Sequence, residues 1–391
     1  MMHTIDELRQ LQALPLSIKI RLTQNRIREW VREFGVDGVY VSFSGGKDST
    51  VLLDIVRDLY PGVKAVFVDT GLEFPEIREF VKTYDNVDWL KPKMNFKEVI
   101  KKYGYPFTSK ETAECVSGAK KYLEDLQKLG IADSAERERE RETGVCDMHT
   151  STTNLSDEVN TQLADYLNDQ MLNKKGGCNQ RLAQMLGWLT NDQKHPVMVN
   201  IPKGSKSKYN QTKWKFLLYA PFNIDNRCCN VMKKEPAHRY TKETDRKPIL
   251  GTLADESRLR TQKWLMNGCN SFTGAKQVSN PMSFWLENDV LEYIYKKKLP
   301  ICSVYGDVVV ANDQISLFED TIQYKTTGAV RTGCVFCGFG CHLEKESRFV
   351  RLKSTHPELY NYIMKPVEEG GLGYKKIIDW MNENGNLNIK Y

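Results

Sequence analysis

Short apolar runs alternate along this chain with stretches whose apolar residues recur at helical spacing. Val39-Tyr40-Val41-Ser42-Phe43 predicts a buried strand, and Thr50-Val51-Leu52-Leu53-Asp54-Ile55-Val56 predicts a helix with an apolar face. Val63-Lys64-Ala65-Val66-Phe67-Val68 predicts a second buried strand, and Pro75 opens a helix that runs to about Tyr84. Val87-Asp88-Trp89-Leu90 predicts a third strand. Ahead of these, Ile18, Ile20, Leu22, Ile27, Trp30 and Val31 mark residues 1–35 as helical, with Gly35 as the stop. Later, Pro248-Ile249-Leu250-Gly251-Thr252 reads as a strand entering a loop, 287–298 as a helix, and the tail from about 355 as helical. Strands alternating with helices predict an α/β fold with a doubly wound parallel sheet, whose ligands bind beyond the carboxyl ends of the strands.

The chemistry concentrates where the first strand turns into the first helix of that sheet. Ser44-Gly45-Gly46-Lys47-Asp48-Ser49 fills the turn. Glycine lets the backbone approach a ligand closely there, and the helix start offers free N–H groups and a positive dipole end. Ser44, Ser49 and Thr50 add hydroxyl donors and Lys47 adds a charge, a combination suited to phosphate. The spacing is neither that of the Walker A loop nor that of the dinucleotide fingerprint.

SGGKDS behind a strand resembles the PP-loop of the ATP pyrophosphatase superfamily, whose members use ATP to adenylate a substrate and release pyrophosphate. The resemblance implies the adenine nucleotide alpha hydrolase-like fold and a nucleotide substrate, ATP with Mg²⁺. Nucleotide contacts would come from Ser42, Ser44, Gly45, Gly46, Lys47, Asp48, Ser49 and Thr50, and from Asp69, Thr70 and Gly71 on the same rim. Lys47 would stabilise the pyrophosphate leaving group, and Asp48 or Asp69 would orient the metal.

At 391 residues, one large or two unequal domains are expected. The pattern divides into a helical segment at 1–35, a first part of the nucleotide core at 36–115, a polar helical insertion at 116–213, a second core part at 214–300 and a cysteine-bearing C-terminal region at 301–391. The insertion contains the alternating-charge run 135–142 and closes with the basic linker 203–208, both read as solvated. The charge of +6 is a weak lean, compatible with a nucleotide or nucleic acid without demanding either. Absence of a long apolar run excludes a membrane-spanning helix, and the N-terminus has no signal pattern, so the cytoplasm is the expected compartment.

Ten cysteines in a chain of that compartment point to metal or redox chemistry rather than disulfides. Cys228 and Cys229 are adjacent, Cys334 and Cys337 form C-x-x-C, and Cys341 follows four residues later. Four thiolates suit zinc or a [4Fe–4S] cluster, and the adjacent pair fits zinc knuckles poorly. Arg227, Lys233 and Lys234 would offset cluster charge.

The Arg227-Cys228-Cys229 and Cys334-x-x-Cys337 set resembles the cluster ligands of assimilatory adenylylsulfate reductases, in the phosphoadenylylsulfate (PAPS) reductase family of the PP-loop fold. Asp69-Thr70-Gly71-Leu72-Glu73-Phe74-Pro75-Glu76 resembles the family's second-strand loop. Gly251 to Arg260 resembles its substrate loop, which implies substrate contacts from Asp255, Glu256, Ser257, Arg258 and Arg260. Pro281-Met282-x-x-Trp285-x-x-x-Asp289-Val290 resembles its late helix start, and the resemblance covers about 36–110 and 214–345.

Departures from that pattern bear on the activity. Reductases carry a catalytic cysteine in Glu-Cys-Gly-x-His near the C-terminus, whereas no cysteine follows Cys341 here, and Leu253 replaces an arginine of the substrate loop. Cys341-His342 is a candidate substitute, and Cys341 a candidate sulfur carrier. Reductases also carry a degenerate loop, whereas Lys47 and the whole SGGKDS motif are present here. The expected activity is therefore ATP pyrophosphatase-type sulfur transfer, with sulfonucleotide reduction and a non-catalytic nucleotide- or nucleic-acid-binding module as alternatives. Candidate partners are a nucleic-acid acceptor, a protein donating sulfur or electrons, and a second copy of the chain.

Overall fold

Five parallel strands and one antiparallel edge strand form the central sheet of the computed structural model, which describes residues 3–128, 185, 188–190, 198–200, 211–274, 276–311 and 322–391. The chain divides into two units, Met1–Phe96 with Cys229–Val335, and Lys97–Cys228 with Phe336–Tyr391. Most of 116–213, including 135–142, 203–208, Cys146 and Cys178, lies outside the described residues.

Along the chain come α1 (Ile5–Gln12), α2 (Leu16–Phe34), β1 (Val39–Ser42), α3 (Lys47–Leu59), β2 (Lys64–Val68), α4 (Pro75–Lys82) and β3 (Val87–Leu90). The second unit takes up α5 (Phe96–Tyr103), β4 (Phe107–Thr108), α6 (Lys110–Lys128), β5 (Trp188–Thr190) and β6 (Met198–Asn200). The first unit resumes with α7 (Glu235–Thr244), β7 (Lys247–Leu250), α8 (Arg258–Asn267), β8 (Asn270–Ser271), β9 (Val278–Ser279), α9 (Glu287–Lys297), β10 (Val308–Val310) and β11 (Tyr324–Thr326). Then follow β12 (Gly338–Phe339), α10 (Arg348–Thr355), α11 (Pro357–Met364) and α12 (Tyr374–Gly385).

The sheet order is β3-β2-β1-β7-β9-β8. Its pleat separates two apolar layers. Val39, Val41 and Phe43 point into the main core with Ile27 and Trp30 of α2 and Val51, Leu52 and Ile55 of α3. Tyr40 points the other way, with Val66 of β2 and Tyr240 of α7. Helices thus cover both faces, as the doubly wound pattern predicts. From β1 the chain first builds outward through β2 and β3, then returns to pair β7 on the other side of β1. That reversal makes the end of β1 the switch point where such sheets bind ligands.

Two local departures from the sequence reading have simple causes. The N-terminal helix is two helices, because Pro15 lacks an N–H to continue α1 and instead caps α2. Helix α3 starts at Lys47, so Lys47, Asp48 and Ser49 form its first turn. In the second unit β12 pairs in parallel with β4, and Phe107, Phe349 and Tyr374 pack against one another. Strands β5 and β6 form an antiparallel pair within the stretch read as helical. No described helix is long and apolar enough to cross a membrane.

Candidate functional site

The SGGKDS turn is held in shape by its own hydroxyls. Ser49 Oγ accepts the Ser44 N–H at 3.1 Å and donates to the Gly46 carbonyl at 2.9 Å, and Thr50 Oγ1 donates to the same carbonyl at 3.0 Å. Gly45 is needed for space as well as conformation. Its φ is +70°, and a Cβ there would lie 2.9 Å from Ile77 Cγ2 and Val81 Cγ2 of α4. Gly251, after β7, serves the same end, since a Cβ would come within 3.0 Å of the Asp48 carbonyl.

Above this turn lies a cavity of about 280 Å³. Ser44, Gly46, Lys47 and Asp48 form its floor, Asp255 and Glu256 come from the loop after β7, and Glu287, Tyr305 and Arg331 complete the wall. Lys47 is buried, its Nζ 2.9 Å from Glu287 Oε1 and donating to the Val330 carbonyl at 3.1 Å. Its N–H donates to the Tyr305 hydroxyl at 3.4 Å, and that hydroxyl bonds Thr332 Oγ1. Asp48 Oδ1 is buried and meets no hydrogen-bond partner among the described residues. Burial pushes the Asp48 carboxyl above its ordinary value; Lys47, Arg331 and Arg260 oppose the shift, and Glu287 adds to it.

Not every residue expected at the site reaches this cavity. Ser49 and Thr50 turn their hydroxyls back onto the loop. Asp69 is ion-paired with Arg78 at 2.9 Å, while Thr70 donates to Glu73 in the turn that Gly71 closes with φ +71°. Ser42 and Ser44 line a second cavity with Glu73 and Lys233. Ser257 caps α8, Arg258 is exposed, and Arg260 is paired with Glu256. Glu287, Tyr305, Arg331 and Thr332 escaped the sequence reading. Arg331-Thr332-Gly333 directly precedes Cys334, and Glu287 lies inside the Trp285-x-x-x-Asp289 segment, so both were adjacent to motifs already in view.

The cysteines fall into both units. In the first, Cys229 and Cys334 lie near Lys233: burial works against its charge, but Cys334, Glu73 and Cys229 overcome this and raise its pKa. In the second, burial first and then the charges of Cys337, Cys228 and Cys341 push up the pKa of the buried Tyr374 phenol. Arg348 donates to the Cys337 carbonyl at 2.7 Å. Cys341 is buried, and desolvation pushes its thiol up to about 12, which disfavours the reactive thiolate. Among the described residues, no group of three or more His, Cys, Asp or Glu side chains is arranged to hold a metal ion.

A lysine-bearing glycine turn at the switch point of a doubly wound parallel sheet defines a nucleotide-binding α/β protein of PP-loop type. The phosphoadenosine phosphosulfate reductase domain model matches residues 38–141 and 177–339, more than half of the chain, and the chain belongs to that family of sulfur metabolism. An uncharacterized protein of Methanocaldococcus jannaschii is 35% identical over 109 residues, which are 25% of this chain and 26% of that one. The match therefore spans about a quarter of that relative's length. The crystal structure of phosphoadenylyl-sulfate (PAPS) reductase from Candida auris, a phosphate complex, shares 14% identity. Its TM-score is 0.33, with 78% of this chain and 91% of that chain covered.

Proposed function

We propose that this protein uses ATP to adenylate a substrate, releasing pyrophosphate, in a sulfur-transfer reaction. The observation that carries the reading is that Lys47 and Asp48 line one cavity, with Asp48 Oδ1 buried and, among the described residues, without a hydrogen-bond partner. An acceptor oxygen would attack the α-phosphorus as the bond to the β-phosphate breaks, and a sulfur nucleophile would then displace AMP. Lys47 and the first-turn amides of α3 would hold the phosphates and stabilise charge on the departing pyrophosphate. The donor chemistry of Asp48 and its acidic neighbours fits Mg²⁺, which would neutralise phosphate charge when bound. Asp255, Glu256 and Arg331 would face the acceptor side, with Arg260 fixed behind Glu256.

A [4Fe–4S] cluster held by Cys228, Cys229, Cys334 and Cys337 belongs to the same proposal. It rests on the spacing of the four cysteines and on the cations beside them, Lys233 near Cys229 and Cys334, and Arg348 near Cys337. Such a cluster supplies a redox or sulfide-binding centre.

The family match favours a second reading, reduction of a sulfonucleotide. The intact SGGKDS loop and the deep burial of Cys341 weigh against it. The test is pyrophosphate release from ATP by anaerobically purified protein, beside sulfite release from adenylylsulfate with a thioredoxin system. Pyrophosphate above a Lys47→Ala control is the expected result. Sulfite without pyrophosphate replaces the proposal with the reductase.

A further inference from the structure

Glu287 is the first residue of α9, and its carboxylate lies 2.9 Å from Lys47 Nζ. The lysine side chain is 5% exposed and the glutamate side chain 41%, so the cation is fixed in the wall while its partner faces solvent. Among the described residues, Asp48, Asp255, Glu256 and Glu287 line the cavity with Lys47 and Arg331, and Arg260 is ion-paired with Glu256, which leaves the acids in excess. A bare polyphosphate therefore meets a wall of net negative formal charge and must displace Glu287 from Lys47. A polyphosphate carrying a divalent cation meets the same carboxylates as attractive groups.

We propose that Glu287 is a specificity-determining residue, an internal counter-anion on Lys47 that makes the site prefer metal-loaded over metal-free polyphosphate. The inference rests on reading the cavity as the nucleotide site, and goes beyond it by explaining why an anion site is walled with acids. Removing the charge at 287 frees one donor of Lys47 and lowers the repulsion. With metal present the gain is offset by the loss of a carboxylate that attracts the cation, so the net gain falls on the metal-free ligand.

Titration calorimetry of the full chain with inorganic pyrophosphate, once with chelator and once with Mg²⁺, tests this. Glu287→Gln should raise the metal-free affinity about tenfold and shrink the ratio between the two conditions. Glu292→Gln, on the same helix and paired with Lys296, controls for net charge and should leave that ratio unchanged. An unchanged or weakened metal-free affinity in Glu287→Gln overturns the inference, and so does an equal gain in Glu292→Gln. Failure of the wild type to bind MgATP or pyrophosphate in either condition brings down the nucleotide reading itself.

Discussion

Replacing Gly45 by alanine isolates how tightly the phosphate turn is pressed against the fold, because Gly71 provides a matched reference. The two glycines have φ of +70° and +71°. An L-residue in that region costs about 1–2 kcal/mol, and the reduced entropy of the unfolded chain returns about 0.4–1 kcal/mol. Both terms are common to the two sites and cancel in a comparison. What differs is space. The new methyl at Gly45 would lie 2.9 Å from Ile77 Cγ2 and Val81 Cγ2, both buried, whereas at Gly71 nothing lies within 4 Å. Forcing a methylene into a packed core costs about 1–3 kcal/mol. Gly45→Ala should therefore be less stable than Gly71→Ala by about that amount, read as the difference between two urea unfolding curves followed by tryptophan fluorescence. The turn should also lift off α4, and MgATP affinity should fall with it. Equal stability of the two variants, within about 0.5 kcal/mol, would refute the claim that contact with α4 shapes the turn.

Other consequences follow from single groups. Lys19 and Asp289 form a buried pair at 2.6 Å, and Asp289 also accepts the Leu286 N–H that starts α9. Lys19→Met strands that carboxylate and should cost about 3–5 kcal/mol by chemical denaturation; a loss under about 1 kcal/mol contradicts it. Burial raises the Asp48 pKa in the folded state, so its protonated form contributes stability present below the ordinary carboxylate value and lost as pH rises through the raised one. Asp48→Asn should lack this trend, and in the wild type Mg²⁺-dependent nucleotide affinity should fall as pH drops through the same window. A pH profile of affinity identical in the two proteins counts against Asp48 as the metal-facing group. If the proposed cluster is bound, Cys228→Ala or Cys337→Ala should bleach its absorbance and lower bound iron and sulfide, whereas Lys47→Ala should spare them; full iron content in Cys228→Ala removes it from the proposed ligand set.

The longer strands could be read from sequence because each is a predominantly apolar run, as in Val39 to Phe43. Strands β8 and β9 have two residues each and leave no periodicity to detect. At the site, the loop spoke for itself through its glycines and Lys47. Its counterparts did not: Glu287, Tyr305 and Arg331 reach the cavity from separate segments, and nothing local marks a lone glutamate or tyrosine as facing a lysine some 240 residues away. Hydroxyl direction was equally invisible. Ser49 and Thr50 have the right chemistry for phosphate, yet as first-turn residues of α3 their nearest acceptor is the Gly46 carbonyl.

Those internal bonds bear on how an anion can be bound at all. A loop whose donors were unengaged would have to be ordered by its ligand, at a cost in conformational entropy for each residue fixed. Here the shape is set beforehand. Gly45 rests on α4, Gly251 backs the Asp48 carbonyl, and the Ser44–Ser49–Gly46 ring closes the turn. Tyr305 and Glu287 occupy the backbone and side-chain donors of Lys47 in the meantime. Binding is then an exchange of partners on a rigid frame, and affinity depends on what the ligand offers compared with a phenol and a carboxylate. A phenol is a weak competitor for an amide, whereas a carboxylate on a buried lysine is a strong one. The selectivity of the site should accordingly reside at Glu287 more than at Tyr305, and Tyr305→Phe should leave the ratio of metal-loaded to metal-free pyrophosphate affinity where it was.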